Sequence, residues 1–281
     1  MLLYAKPYVE DKIKELKNRV DKLEYTPKLV ILRVDGDKAS EKYVNNKVKR
    51  CEEVGIESEV ILFDNDVAQE VVARKIVELN NSIDVTAILL QLPIPKHLNE
   101  GYLTNLIDPL KDVDGFTIEN TGKLSLGLDC NTACTPRGII DLLKFYDIEI
   151  EGSDVLIINR SNIIGKPLAQ LFLKENATVT IVHSKTKNLE DKIKCADIVV
   201  TAVGKANFLQ ASSFSDNTTI IDVSINFNED GRICGDVTKS DYDALINKNC
   251  NITPVPGGIG QTTVISLIEQ TIEIAERLEG K

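Results

Sequence analysis

KLVILRV at 28–34 is a β-rich, largely apolar run without the alternation of a half-exposed strand. Such a strand is buried on both faces, which calls for helices packed above and below a mostly parallel sheet. The pattern recurs in ESEVILF (57–63) and VTAILLQ (85–91), separated by helical stretches at 40–54 and 67–80. Strand, helix, strand, helix, strand in that order requires right-handed crossovers within one sheet. A second series starts at 154: DVLIINRSNIIGKPLAQLFLKENATVTIVHSKT reads strand, tight turn, helix, strand, and ADIVVTAVG and TTIIDVS supply further strands. The expected fold is α/β, with two α/β domains built on parallel-sheet cores. The expected boundaries are 1–135, rejoined by the last helix at 263–281, and 136–262. That last helix places Val264, Leu267, Ile268, Thr271, Ile274, Ala275 and Leu278 on one side.

The remaining composition narrows the function classes. A chain of 281 residues with 43% hydrophobic content suffices for two cores. No run approaches the ~18 apolar residues of a membrane span. The opening segment lacks the pattern of a signal peptide; Ile13, Leu16 and Val20 recur there at helical spacing. Acidic residues outnumber basic ones 43 to 33, which argues against a phosphate-backbone binder. No nucleic-acid or membrane partner is expected, and the location expected is cytoplasmic. The six cysteines are scattered, only Cys130 and Cys134 are close, and the sole histidines are His97 and His183. This fits reduced thiols better than a Cys/His zinc site, so no metal is expected. Nothing resembles a nucleophile elbow.

In parallel sheets, ligands collect beyond the carboxyl ends of the strands. The first strand feeds a helix presenting Tyr43 and Lys47 one turn apart, with Ser40 upstream; the third ends at Gln91. Both can reach one rim, although an i,i+4 pair decorates many solvated helices. The segment 108–138 is rich in loop formers, among them Asp112, Asp114, Gly115, Gly122 and Gly127, and reads as a cleft wall. Pro136 suits the first position of a helix over 136–147. In the second series the turn after the first strand carries Asn159, Arg160, Ser161 and Gly165, a partial version of the dinucleotide fingerprint and equally an ordinary turn. The next strand ends in Ser184 and Lys185, without the carboxylate that receives ribose hydroxyls in NAD sites. With Arg160, this donor-rich end favours NADP; Arg160 is otherwise a solvated turn residue. PVPGGIGQTT (254–263) offers converging amides or simply a sharp turn.

Together these segments resemble the methylenetetrahydrofolate dehydrogenase/methenyltetrahydrofolate cyclohydrolase family. DKASEKYVNNKVKRCEEVGI, LLQLPIP, KDVDGFTIENTGKL, CTPRGI, RSNIIGKP, HSKT, ADIVVTAVG, GDV and TPVPGGIG stand in family order across nearly the whole chain. The resemblance implies a folate-binding catalytic domain, a Rossmann-like NADP domain, an active-site cleft between them, and a homodimer. It implies oxidation of 5,10-methylenetetrahydrofolate to the methenyl form and hydrolysis of that to 10-formyltetrahydrofolate, chemistry that serves one-carbon metabolism and purine biosynthesis. Lys47 matches the family's catalytic lysine, Tyr43 its active-site tyrosine, Gln91 the glutamine beside the lysine, and Asp114 the carboxylate that holds the pterin. Leu92, Pro93, Pro256, Gly257 and Gly258 complete the implied folate site. Asn159, Arg160, Ser161, Ile163, Gly165, Ser184, Gly204 and Ile225 are the implied cofactor contacts.

The chain departs from the family pattern at three places. Ala133 replaces the usual proline before CTP, Ser224 the usual glycine, and GIGQTT at 258–263 the usual G-x-G-P-M-T, so that Gln261 and Thr262 are unusual. Two other readings use the same residues: a dehydrogenase without useful cyclohydrolase activity, and a silent folate- or nucleotide-binding protein. Lys47 argues against both.

Overall fold

The computed structural model describes residues 1–36, 38–228 and 230–280. The side chains of residues 38–40 and 42, and with them Ser40, lie outside the described residues, as does Lys281 at the end of the expected last helix. The chain divides into two units by contact, one formed by 11–134 with 264–281, the other by 1–10 with 135–263.

In the first of these units, β1 (Lys28–Val34) is the central strand of a parallel sheet, with β2 (Glu57–Phe63) and β3 (Ala87–Leu90) on either side. Val30 to Val34 are all buried, as the unbroken apolar run requires. Val30, Leu32, Phe63, Ile88 and Leu90 face Val72, Ile76 and Leu79 of α3 (Gln69–Asn81) and Leu103 of α4 (Glu100–Leu106) in one core. On α2 (Lys38–Val54), Val44, Lys47, Cys51 and Val54 are buried, spaced three and four apart along one helical face. The helix stops at Gly55, where φ is +92° and the Gly55 and Ile56 amides both donate to Cys51 O.

The segment expected to be loop contains α5 (Ile118–Ser125). Thr117 caps it, its side chain accepting from Asn120 N, a contact of about 1 kcal/mol in helix stability. Two glycines at 122 and 127 mask this helix in the sequence, but only Gly127, beyond its end at φ +69°, punctuates it. Helix α6 (Cys134–Phe145) begins two residues before the expected start. Pro136 is tolerated in its first turn, where an N–H has no acceptor within the helix.

The other unit has a five-stranded parallel sheet in the order β10 (Asn251–Ile252), β7 (Thr219–Asp222), β6 (Ile198–Thr201), β4 (Asp154–Ile158), β5 (Thr178–Val182). Helices α7 (Gly165–Lys174), α8 (Leu189–Lys194) and α9 (Tyr242–Asn247) accompany it. A short antiparallel pair, β8 (Asn226–Phe227) and β9 (Ile233–Cys234), follows β7. The first ten residues group with this unit, whereas the sequence grouped them with the other. Leu2 bridges to Ile252, and the Leu3 amide donates to Ile252 O at 2.8 Å. Two residues of strand-like pairing leave no periodic trace in a sequence.

The chain passes between the units within α1 (Ala5–Val20), α6 and α10 (Ile259–Leu278). Helix α10 differs from the one-sided helix of the sequence pattern. Leu278 is 56% exposed, while Glu269 and Gln270 are buried at 5% and 1%. Glu269 takes Lys12 Nζ at 2.9 Å and Arg19 Nη1 at 3.3 Å, so its charge is matched where it is buried. Gln270 donates to Val113 O (2.6 Å) and Thr132 O (2.8 Å) and accepts from Thr132 N (2.6 Å). Polar burial here depends on partners far away in sequence, which periodicity does not record.

Candidate active site

Since β1 and β3 are parallel neighbours, their carboxyl ends share one rim, and the chain leaves that rim into α2 and into Gln91. Lys47 comes off the inner face of α2 and donates from Nζ to Gln91 Oε1 at 2.8 Å. Gln91 is itself held, its Nε2 donating to Leu92 O at 2.7 Å. The strand β3 is extended by a bridge from Ile88 to Asp112, with Ile88 N donating to Lys111 O at 2.8 Å. This carries Asp114 alongside the strand end that bears Gln91. Gln270 fixes the preceding residue through Val113 O, and Cys134 Sγ contacts the same oxygen at 3.4 Å. Lys47, Gln91 and Asp114 are therefore brought together, with half-buried Tyr43 one turn earlier on the same helix.

Only 8% of Lys47 is exposed. Burial lowers its pKa, because a charged amine loses more hydration than it regains; the Asp114, Cys134 and Cys51 groups oppose the shift. Burial raises the Asp114 pKa, opposed by Lys47 and by a hydrogen bond to Cys134. The Cys51 thiol is pushed up to about 12, again by burial. Tyr43 is raised for the same reason. The dry environment thus favours a neutral amine, the form that can take a proton. Cys51 and Cys134 were not singled out in the sequence as members of this group. The stripe Tyr43, Lys47, Cys51 at i, i+4, i+8 was the available signal.

In the other unit, the expected cofactor contacts follow the carboxyl ends of four adjacent strands. Asn159 to Gly165 follow β4, Ser184 follows β5, Gly204 follows β6 and Ile225 follows β7. The β4 turn is closed by Asn159, whose Oδ1 accepts from Ser161 N (2.7 Å), Ser161 Oγ (2.7 Å) and Gly165 N (3.1 Å). A Cβ on Gly165 would lie 2.2 Å from Asn159 O, so this turn holds only glycine there. Arg160, Ile163, Ser184 and Lys185 are exposed at this edge. Glycine-tight turn, helix start and exposed cations fit a dinucleotide with phosphates. Asp222, at the end of β7, is buried, and its pKa rises to about 7 through burial, opposed by amides of Val237, Asp236 and Ser224.

Pro256, Gly257 and Gly258 belong to this same unit. Gly257 has φ +118°, and its carbonyl accepts from Ala5 N at 2.9 Å. The unusual residues Gln261 and Thr262 lie in the first turn of α10, where Thr262 is buried: its hydroxyl donates to Ile259 O at 2.9 Å, and a Cβ on Gly138 would lie 2.6 Å from its Oγ1. Thr262 is a packing residue against α6, and Gln261 beside it is half-buried.

Residues 3–114 match the model of the tetrahydrofolate dehydrogenase/cyclohydrolase catalytic domain, and residues 133–279 that of the NAD(P)-binding domain of the same enzymes. The chain belongs to the tetrahydrofolate dehydrogenase/cyclohydrolase family. It is a bifunctional dehydrogenase/cyclohydrolase of tetrahydrofolate derivatives with an NAD(P)-binding domain. The bifunctional protein FolD of Agathobacter rectalis is 42% identical over 269 residues, spanning 96% of this chain and 95% of that protein. The crystal structure of the bifunctional FolD of Campylobacter jejuni superposes with a TM-score of 0.95 at 38% identity, covering 99% of both chains. That of the Trypanosoma brucei enzyme, complexed with NADP cofactor and an inhibitor, gives 0.93 at 30% identity, covering 100% of this chain and 99% of that one. Among the described residues no helix is long and apolar enough to cross a membrane.

Within this family site, the depressed Lys47 pKa has a measurable consequence for stability. At pH 7 the amine is charged in the unfolded chain, whose pKa is the ordinary 10.5, and folding costs its desolvation or its proton. That cost disappears as pH rises through the unfolded value. Lys47→Met is expected to unfold at higher denaturant than wild type at pH 7, with the gap narrowing towards pH 10.5. Urea titrations across that range check it; a gap independent of pH would contradict the buried-amine account.

Proposed function

We propose that Lys47 is the proton-transfer group of the cyclohydrolase step and that the dehydrogenase step prefers NADP to NAD. The single observation that carries the first part is the buried amine held at 2.8 Å from Gln91. In 5,10-methenyltetrahydrofolate hydrolysis, water adds to the one-carbon bridge and a carbon–nitrogen bond then breaks. Lys47, with its pKa lowered, takes one proton from the attacking water and returns it to the departing nitrogen, while the proton left on the adduct's hydroxyl goes to solvent as the formyl C=O forms. Gln91 fixes the direction of the Nζ lone pair. Asp114 receives the pterin ring NH and amino group in charge-assisted hydrogen bonds, and Tyr43 packs against the substrate. Leu92 and Pro93, which follow Gln91 directly, contribute apolar surface to the same substrate.

NADP, when bound, accepts the hydride from the methylene bridge, so that step asks no side chain for a proton. Asn159, Ser161, Ile163 and Gly165 shape the pyrophosphate turn. Arg160 and Ser184 receive the 2′-phosphate, supported by the absence of Asp and Glu from 178–186. The chain acts as a cytoplasmic homodimer. Supporting the dimer, β2 is a sheet edge with Val60 and Leu62 exposed at 40% and 57%, an apolar edge suited to a second copy.

Assays of both steps with both dinucleotides test the chemistry. Lys47→Met should retain measurable dehydrogenase turnover while cyclohydrolase activity falls by about a hundredfold or more. Parallel loss of both, or loss of neither, overturns the assignment. Arg160→Ala should weaken NADP about tenfold or more and NAD by less than about threefold, the scale of one lost charged hydrogen bond. Equal weakening rejects the 2′-phosphate role. Light scattering should give twice the 31.1 kDa chain mass, falling to one chain in Leu62→Lys; a wild-type monomer refutes the dimer.

A further inference from the structure

Beyond β6 and β7 lie two turns that carry Gly204 and Ile225, and one buried carboxylate is bonded to both. Asp236 is 0% exposed. Its Oδ2 accepts from Thr201 Oγ1 (2.7 Å), Val203 N (2.7 Å) and Ser224 Oγ (2.8 Å), and its Oδ1 from Lys205 N (2.9 Å) and Asn226 Nδ2 (3.1 Å). The amides on either side of Gly204 therefore point at Asp236, and so do the side chains on either side of Ile225. Ser224 links the two turns directly, since its hydroxyl also accepts from Gly204 N at 3.1 Å. The β4 turn is tied into the row by Asn159 Nδ2, which donates to Ala202 O at 2.7 Å.

The local fold explains how a carboxylate comes to sit there. The β8–β9 pair turns the chain back, and Leu209 N donates to Asp236 O at 2.9 Å, pinning its backbone. Gly235 allows the close approach: a Cβ there would fall 2.0 Å from Asp222 Oδ2. Asp222 holds the other side of the knot, accepting from Ser224 N (3.2 Å) and Val237 N (2.8 Å). The two turns are thereby fixed to each other by five donors to one side chain. Such turns can present a rigid surface without being buried, as the 43% exposure of Ile225 shows.

We propose that Asp236 is the positioning residue of the dinucleotide site, acting through the amides beside Gly204 and the Ser224 and Asn226 side chains to set the turns that carry Gly204 and Ile225. This rests on the reading of those two residues as cofactor contacts. Ser224, which stands where the family usually has glycine, makes the link a property of this chain. The turns follow β6 and β7, whereas Arg160 and Ser184 follow β4 and β5. Loosening the turns should therefore weaken NADP and NAD alike.

Ser224→Ala, Asp236→Asn and the double variant test this in the full-length enzyme. Calorimetry with NADP and with NAD should show about threefold to tenfold weaker binding for Ser224→Ala and about tenfold or more for Asp236→Asn, equal for the two dinucleotides. Cyclohydrolase turnover, measured without dinucleotide, should stay within about twofold of wild type, which distinguishes positioning from general loss of folding. The double variant should be no weaker than Asp236→Asn, because the Ser224 hydroxyl is one of the donors that Asp236 holds. Unchanged dinucleotide affinity, parallel loss of cyclohydrolase activity, or additive effects would each overturn the proposal. Equal affinity of wild type for NADP and NAD would instead reject only the 2′-phosphate reading.

Discussion

The desolvated amine of Lys47 is the constraint around which its unit is organised. An ammonium out of water is costly, and it persists only where the surroundings forbid relaxation towards solvent. Gln91 supplies one acceptor at 2.8 Å, and Asp114 supplies opposite charge from the neighbouring chain segment. Neither is free to adjust: Gln91 is tied to Leu92 O, and Asp114 follows Val113, whose carbonyl is fixed by Gln270 from α10. The same low dielectric that penalises the charge lowers the amine's pKa and so favours its neutral form. Burying the amine gives up stability locally, a pattern common at functional sites.

The other unit uses buried charge in the opposite way. Asp236 has five donors for its two oxygens, and its environment leaves little for a ligand to add. An undersupplied group is reactive; an oversupplied one is rigid. This division matches the two kinds of work in the family. Hydrolysis needs a proton to be moved, whereas hydride transfer needs a dinucleotide to be held still.

The sequence departures separate along the same line. Thr262 is absorbed into packing against Gly138, so its polarity is spent on Ile259 O rather than on a ligand. Ser224 joins the carboxylate knot. Gln261 stays half-buried, its backbone amide donating to Gly258 O at 3.1 Å. Three substitutions that look alike as strings thus have three different fates, and partners decide which.

Much of this was legible in the chain itself. Apolar strands such as KLVILRV alternating with helices pointed to parallel sheets, since helices on both sides bury both faces of a central strand. Strand-end logic put Tyr43, Lys47 and Gln91 on one rim and the turn residues at another. What the string could not show were relations between residues distant along it. Helix α5 was hidden by Gly122 within it and Gly127 beyond its end and revealed by a cap; the strand-like pairing of Leu2 and Leu3 was too short to have a period. The depressed Lys47 pKa depends on how completely water is excluded, and that is a property of packing. Sequence determined which groups could react; tertiary structure decided which were dry, which were paired, and therefore which can move a proton and which can only hold a shape.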